Sequence, residues 1–231
     1  MNLLSKPVES LWKAAAYGGF SIFGAFPALH LNLNQQEILA IVVGASFAAG
    51  LNVYATVATL GLLSHAHVFQ LPAALHLLDS WAVIIIAALL FGVEFFADKI
   101  PVFDLIWNAM NTFVRVPVAA LLSWGAAQQL SPVAQVAVAV LAGLIALAAH
   151  GGKTAVRAAV TPSPEPISNI ALSLGEDVAA VGLTWLATQH PVAAGIIVLI
   201  AVLLAIFAIR AVWRALKRIF SLQSIESTPA V

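Results

Sequence analysis

Apolar residues gather into six runs along the chain, at 37–63, 81–97, 104–127, 133–149, 168–188 and 192–209. Each reaches the roughly 17–25 residues that carry a helix across the hydrocarbon of a bilayer. The segments between them carry turn chemistry: 64–80 with Pro72, 98–103 with Pro101, 128–132, 151–167, and 189–191. Trp81 and Trp213 stand at run ends, where interfacial aromatics belong. The pattern predicts an all-α, polytopic membrane helix bundle of about six transmembrane helices within 36–219. Ahead of it, Leu11, Trp12, Ala15, Ala16, Gly19, Phe20 and Phe23 share one helical stripe, so 1–35 is expected to be an amphipathic interfacial helix. Glu9, Pro27 and His30 argue against a signal peptide there. Behind it, 220–231 is polar and expected to be disordered.

Composition supports the membrane reading. Hydrophobic residues make up 62% and charged residues 9% of 231, against about 25% charged in a soluble domain. Ten Lys+Arg balance ten Asp+Glu, so no basic field points to nucleic acid. Cysteine is absent, which removes disulfides, thiolate metal sites and cysteine nucleophiles. The sequence contains no H-E-x-x-H, nucleophile elbow or P-loop, so no catalytic residue, metal or cofactor is expected. His65, His67 and His76 fall in one loop without a metal-ligand spacing.

Basic residues sort by loop. Alternate loops hold Lys6, Lys13, Lys99, Lys153, Arg157, Arg210, Arg214, Lys217 and Arg218, and the intervening loops hold none. With six spans, this bias puts both termini in the cytoplasm. Residues 47–58 can also be laid over 147–158, matching alanines at 48/148, 49/149, 55/155 and 58/158. Shared alanine-rich composition accounts for this as readily as duplication; a true duplication in this topology would make a 3+3 inverted repeat.

The polar residues inside the apolar runs fall in register. Asp104, Asn108, Asn111 and Arg115 share one face of the third run; His150, Lys153 and Arg157 follow the fourth; Asn169, Ser173 and Glu176 share a face of the fifth, with Asp177 beside them. The second run adds Glu94 and Asp98, and the first adds Asn52, Thr56 and Thr59. Arg115 lies about 16 Å from the start of its run and Glu176 about 12 Å from the start of its own, at 1.5 Å per residue. That common depth predicts that Arg115 pairs with Glu176 or Asp177. Individually, Asn52, Thr56, Thr59, Asn108 and Ser173 read as fasteners between helices. Collectively, Glu94, Arg115, Glu176 and Asp177 carry more desolvation cost than packing needs, so a polar cavity open to the cytoplasm is expected. Two loops flank it. In 98–104, Asp104 is placed to cap the third helix, with Lys99 between acids. In 161–169, three alternate prolines predict a stiff, extended connector, either a plain link or a gate. Lys153 and Arg157 beside Gly151 and Gly152 suit an anion such as a lipid phosphate, although Arg157 alone serves equally as an interfacial anchor.

Gly50-Leu51-Asn52-Val53-Tyr54-Ala55-Thr56, the run from Glu94-Phe95-Phe96-Ala97-Asp98-Lys99-Ile100-Pro101 to Asp104, His150-Gly151-Gly152-Lys153-Thr154 to Arg157, and Ser173-Leu174-Gly175-Glu176-Asp177 resemble the bacterial integral membrane proteins of domain of unknown function family 4126. The resemblance covers about 36–210. It implies a multi-pass protein of the bacterial cytoplasmic (inner) membrane and brings no established activity.

Three functions then compete. The first is a small secondary transporter or flippase-like carrier. Its solute would be small and anionic or amphiphilic. Glu94, Glu176 and Asp177 would be its proton or cation sites, and Arg115 and Lys153 their partners or anion contacts. The second is a non-catalytic accessory subunit whose polar face meets another membrane protein. The third is an intramembrane enzyme on lipid head groups using His150 and Asp98. Apart from the bilayer itself, a homodimer is the expected partner, because six short helices leave little room to enclose a cavity.

Overall fold

The computed structural model describes residues 35–160 and 166–226. Expectations for 1–34, for the prolines of 161–165 and for 227–231 lie outside them. Among the described residues the chain is helical: α1 (Gln35–Leu51), α2 (Val53–His65), a 3-10 turn at Ala73–Asp79, α3 (Trp81–Ala97), α4 (Pro101–Ala126), α5 (Pro132–Val160), α6 (Pro166–Gln189) and α7 (Pro191–Glu226). Segments Pro132–Arg157, Ile170–Gln189 and Pro191–Arg218 are each long and apolar enough to cross a membrane, and the 3-10 turn with α3 passes together as a pair bent by 64°. Phe113 (82% exposed), Leu89 (66%) and Leu203 (60%) would be untenable on a water-facing surface, and in a bilayer they meet lipid. The protein is an integral membrane helix bundle.

Prolines and polar caps set several boundaries. Pro132, Pro166 and Pro191 each open a helix, where the missing N–H is not needed. Ser80 caps α3 through its hydroxyl, which accepts from the Val83 N–H at 3.4 Å. Pro101 opens α4 after Ile100, so that helix begins one turn before Asp104, the residue expected to cap it. The fourth run does not stop at 149: α5 continues to Val160, so His150, Lys153 and Arg157 sit on a helix rather than in a connector. Likewise α7 continues to Glu226, making part of the expected tail helical.

The first run departs most from expectation. At 1.5 Å per residue, one straight helix would hold Ile38 and Leu60 about 33 Å apart. Instead Ile38, Val42, Leu60, Leu71, Leu122 and Ala126 line one small apolar cavity. Ile38 and Val42 also cluster with Ala127, Val138 and Ala142. At the far end of α2, a Cβ on Gly61 would meet Ile84 at 2.8 Å, and Gly125 lies against Leu75. The start of α1 and the end of α2 therefore share one end of the bundle, with the start of α3, the end of α4 and the start of α5. The two form a helical hairpin whose tip, at Asn52, points into the bundle, so among the described residues the first run does not cross it as one helix. Asn52 is the reason: its backbone is extended (φ −150°, ψ 104°), which ends one helix and starts another.

The hairpin lies at the centre. α1 packs along α5 in the same direction, with Ala48 and Ala149 in one cluster and Gly50 so close to Ala146 and Ala149 that a Cβ would sit 2.7 Å from the Ala149 Cβ. Lipid gives helices no hydrophobic drive to associate, so close approach at small residues supplies the packing. Of the segments matched at an offset of 100, 47–51 thus runs alongside 147–151 in one direction, while 53–58 lies on the returning arm of the hairpin. Gly152, the counterpart of Asn52, lies within an unbroken helix.

Candidate functional site

The hairpin tip supplies the site's frame. The Asn52 side-chain Oδ1 accepts from the Ala55 N–H at 2.9 Å, capping α2, while its carbonyl accepts from the Thr56 hydroxyl at 2.9 Å. Because Oδ1 is committed to the cap, Nδ2 is the atom facing outward, and it donates to Asp177 Oδ1 at 2.9 Å. Carbonyls at the end of α1 have no helical partner and carry the negative end of the helix dipole. Two cations meet them: Arg115 Nη1 lies 3.4 Å from the Gly50 carbonyl oxygen, and Lys153 Nζ lies 3.4 Å from that of Leu51.

From this tip a network of ion pairs extends across α3, α4, α5 and α6. Arg115 Nη2 bonds Glu94 Oε1. Lys153 Nζ lies 3.8 Å from Glu94, 3.4 Å from Asp98 and 3.0 Å from Glu176. Arg157 reaches Asp98 Oδ2 at 2.7 Å and Glu176 Oε2 at 2.6 Å, and Ser173 donates to Asp98 Oδ2 at 3.2 Å. Exposure gives the network a direction. Glu94 and Arg115 side chains are 0% exposed, Lys153 and Asp98 1%, and Arg157 and Glu176 10% and 12%. The chain of charges thus leads inward from the end of the bundle where α3 terminates. Among the described residues it joins four carboxyl groups (Glu94, Asp98, Glu176, Asp177) to three cationic side chains (Arg115, Lys153, Arg157).

His150 fixes its own tautomer by its neighbours. Arg115 Nη1 can only donate, so His150 Nδ1, at 2.7 Å, accepts; the proton then rests on Nε2, which donates to the Thr112 hydroxyl at 2.8 Å. Thr112 passes its own proton to the Asn108 carbonyl at 3.0 Å. Pro117 interrupts α4 half a turn beyond Arg115, leaving the Phe113 carbonyl without its helical N–H partner. Several polar atoms at this level are buried without a partner among the described residues: Glu94 Oε2, Asp98 Oδ1, Asn111 Nδ2, Arg115 Nε and Asp177 Oδ2.

The family model described as "Domain of unknown function (DUF4126)" matches residues 39–211. The chain belongs to that family. No curated protein and no solved structure matches it. All the side chains of the charged network fall within the matched span of this DUF4126 protein.

Of the residues expected to gather, Glu94, Asp98, Arg115, His150, Lys153, Arg157, Ser173, Glu176 and Asp177 do so. Asn111 stands beside them, accepting from the Tyr54 hydroxyl at 3.0 Å, and Asn108 contributes its carbonyl. Lys99 turns away: its ammonium donates to the Phe95 carbonyl at 2.7 Å and lies 3.0 Å from the Phe95 ring centroid. The side chains of Asp104 and Asn169 lie outside the described residues. The expected pairing of Arg115 with Glu176 or Asp177 is wrong. α3 ends at the same depth and brings Glu94 to Arg115, whereas Lys153 and Arg157, one and two turns on from His150, take Glu176. At the site the charged side chains lie in direct contact with one another. In this DUF4126 protein the missed residues are Tyr54, Thr112 and, as a helix break rather than a fastener, Asn52. A single asparagine between Gly50-Leu51 and an apolar run is the signal that could have marked the last.

Proposed function

We propose that the protein is a secondary carrier of the bacterial cytoplasmic membrane for a small anionic or amphiphilic solute, driven by a coupling cation. One observation carries this reading: a discontinuous helix delivers its free carbonyls and Asn52 into a buried network whose carboxylates outnumber its cations. Membrane carriers build substrate and ion sites at such interrupted helices, because unwound backbone offers polar groups at a depth where water cannot. A fastener between helices needs one satisfied pair, and this network leaves buried oxygens unpaired on Glu94, Asp98 and Asp177.

Lys99, Arg210, Arg214, Lys217 and Arg218 belong to the end of the bundle where α3 terminates, and among the described residues the loops of the other end carry no Lys or Arg. By the positive-inside bias the first of these ends is cytoplasmic, and Arg157 and Glu176 form the cytoplasmic entry to the network. The hairpin is then re-entrant from the outer face. Solute enters between α5 and α6, where Arg157 and Lys153 meet its negative charge, and the salt bridges to Glu176 exchange for solute contacts.

The test is uptake into proteoliposomes. Purified protein should take up at least one labelled solute from a panel of short carboxylates, phosphate esters and fluorescent phospholipids, and uptake should depend on an imposed ion gradient. Arg157→Gln should abolish it with helicity intact. Absence of flux for every solute, from folded protein, refutes the carrier reading; a stoichiometric co-purifying membrane protein would then favour the accessory subunit.

A further inference from the structure

We infer that Asp177 is the coupling-ion site and that the ion it takes is a proton. This rests on the carrier reading for its role, but its chemistry stands on the geometry alone. Each other acid of the network holds a cation: Glu94 has Arg115, and Asp98 and Glu176 have Arg157 and Lys153. Asp177 has no ion pair within 4 Å among the described residues. It is 6% exposed, its Oδ1 accepts from Asn52, and its Oδ2 is buried without a partner. A carboxylate so placed would be an uncompensated charge at depth, and the network around it is short of one positive charge. One proton on Oδ2 answers both.

The same geometry argues against sodium. A metal ion needs several oxygens converging at once. Here the Asn52 amide oxygen is turned away, held by the Ala55 N–H at 2.9 Å, and the amide presents N–H donors to Asp177. A donor beside the carboxylate suits either protonation state of the acid and repels a cation. Asn52 is also the hairpin tip, so the proton sits on the carboxyl group whose other oxygen ties α6 to the break between α1 and α2. Loss of that proton leaves a full charge on the tie, and drawing Asp177 toward Lys153 pulls on the tip. The proton can leave toward Glu176, the neighbouring residue at the more exposed end of the network.

Infrared difference spectroscopy on purified protein tests this without any transport. A pH step should reveal the carbonyl stretch of a protonated, buried carboxylic acid. The band should disappear in Asp177→Asn, which keeps the side chain's shape and its bond from Asn52, and should persist in Glu94→Gln and Glu176→Gln. A band that survives in Asp177→Asn, or vanishes in Glu94→Gln instead, overturns the assignment. Sodium titration of the same samples should leave the band unmoved; a sodium-dependent loss would also overturn it. In proteoliposomes holding a pH dye, Asp177→Asn should bring proton movement down to the liposome background. If wild-type protein shows the band yet no solute-linked proton flux, the site stands and the carrier reading fails. If flux persists in Asp177→Asn, the carrier reading stands and the site fails.

Discussion

Removing Arg115 tests whether the network is a single electrostatic unit. Its side chain is fully buried and bonded to Glu94, His150 and the Gly50 carbonyl. With Asp177 protonated, Arg115→Met leaves three ionised carboxylates facing two cations, and Glu94 keeps only Lys153 at 3.8 Å. Breaking a buried pair from one side costs about 3–5 kcal/mol, because the surviving charge stays desolvated. Glu94→Gln should cost less, about 1–3 kcal/mol, the range for one unsatisfied buried group. It removes a negative charge, yet Arg115 retains its acceptors on His150 and Gly50. The double variant leaves two ionised carboxylates against two cations, as balanced as the native three against three. It should therefore lie closer to wild type than the sum of the singles by about 1–3 kcal/mol, as expected for residues of one network. The assay is reversible unfolding in mixed micelles with a denaturing detergent, followed by helical circular dichroism. Additivity within about 0.5 kcal/mol, or a larger loss for Glu94→Gln than for Arg115→Met, would refute this reasoning.

Two further outcomes follow from the packing and the topology. A Cβ on Gly152 would lie 2.6 Å from the Ala205 Cβ and 3.1 Å from its Cα, so Gly152→Ala should destabilise by about 1–3 kcal/mol through overpacking of α5 on α7. Gly92, with nothing within 4 Å of a Cβ, is the control: Gly92→Ala should stabilise α3 by up to about 1 kcal/mol in the same unfolding assay. The native chain has no cysteine, so single cysteines report topology cleanly. Replacements at Gln36 and His67 should react with an impermeant thiol reagent from one face of the membrane, and one at Arg218 from the other. Labelling of positions 36 and 218 from the same face would eliminate the hairpin.

The sequence made the membrane bundle legible because lipid demands long apolar runs, and the second run begins and ends where α3 does. Register on each helix face was equally legible, since Asn108, Asn111 and Arg115, or Ser173 and Glu176, must project together at spacings of three and four. Which faces meet was not. Glu94 and Asp177 are each within reach of a basic residue by depth alone, and only the lateral order of helices decides that Arg115 takes the first. The hairpin escaped for a different reason. Its two arms, read together, have the length and hydropathy of one span, and the turn costs the sequence a single asparagine. Helices also outlasted their apolar runs: α5 carries Lys153 and Arg157 for three more turns because their charges are paired, so the helix need not end where hydrophobicity does.

The depth of the hairpin tip bears on how the chain is assembled. Its arms, of 17 and 13 residues, fall at or below the length that halts in a bilayer unaided, and the groups that receive the tip are made much later. Asn52 precedes Asp177 by 125 residues, and Leu51 precedes Lys153 by 102. At about 5–20 residues per second, a ribosome needs roughly 6–25 s to supply Asp177 after Asn52. During that interval the arms have no socket, so they wait near the headgroups or beside an insertion factor and slot in once α5 and α6 have arrived. Nascent chains truncated before 177 should remain loosely seated, which makes the closing of the hairpin an act that waits long after its own synthesis.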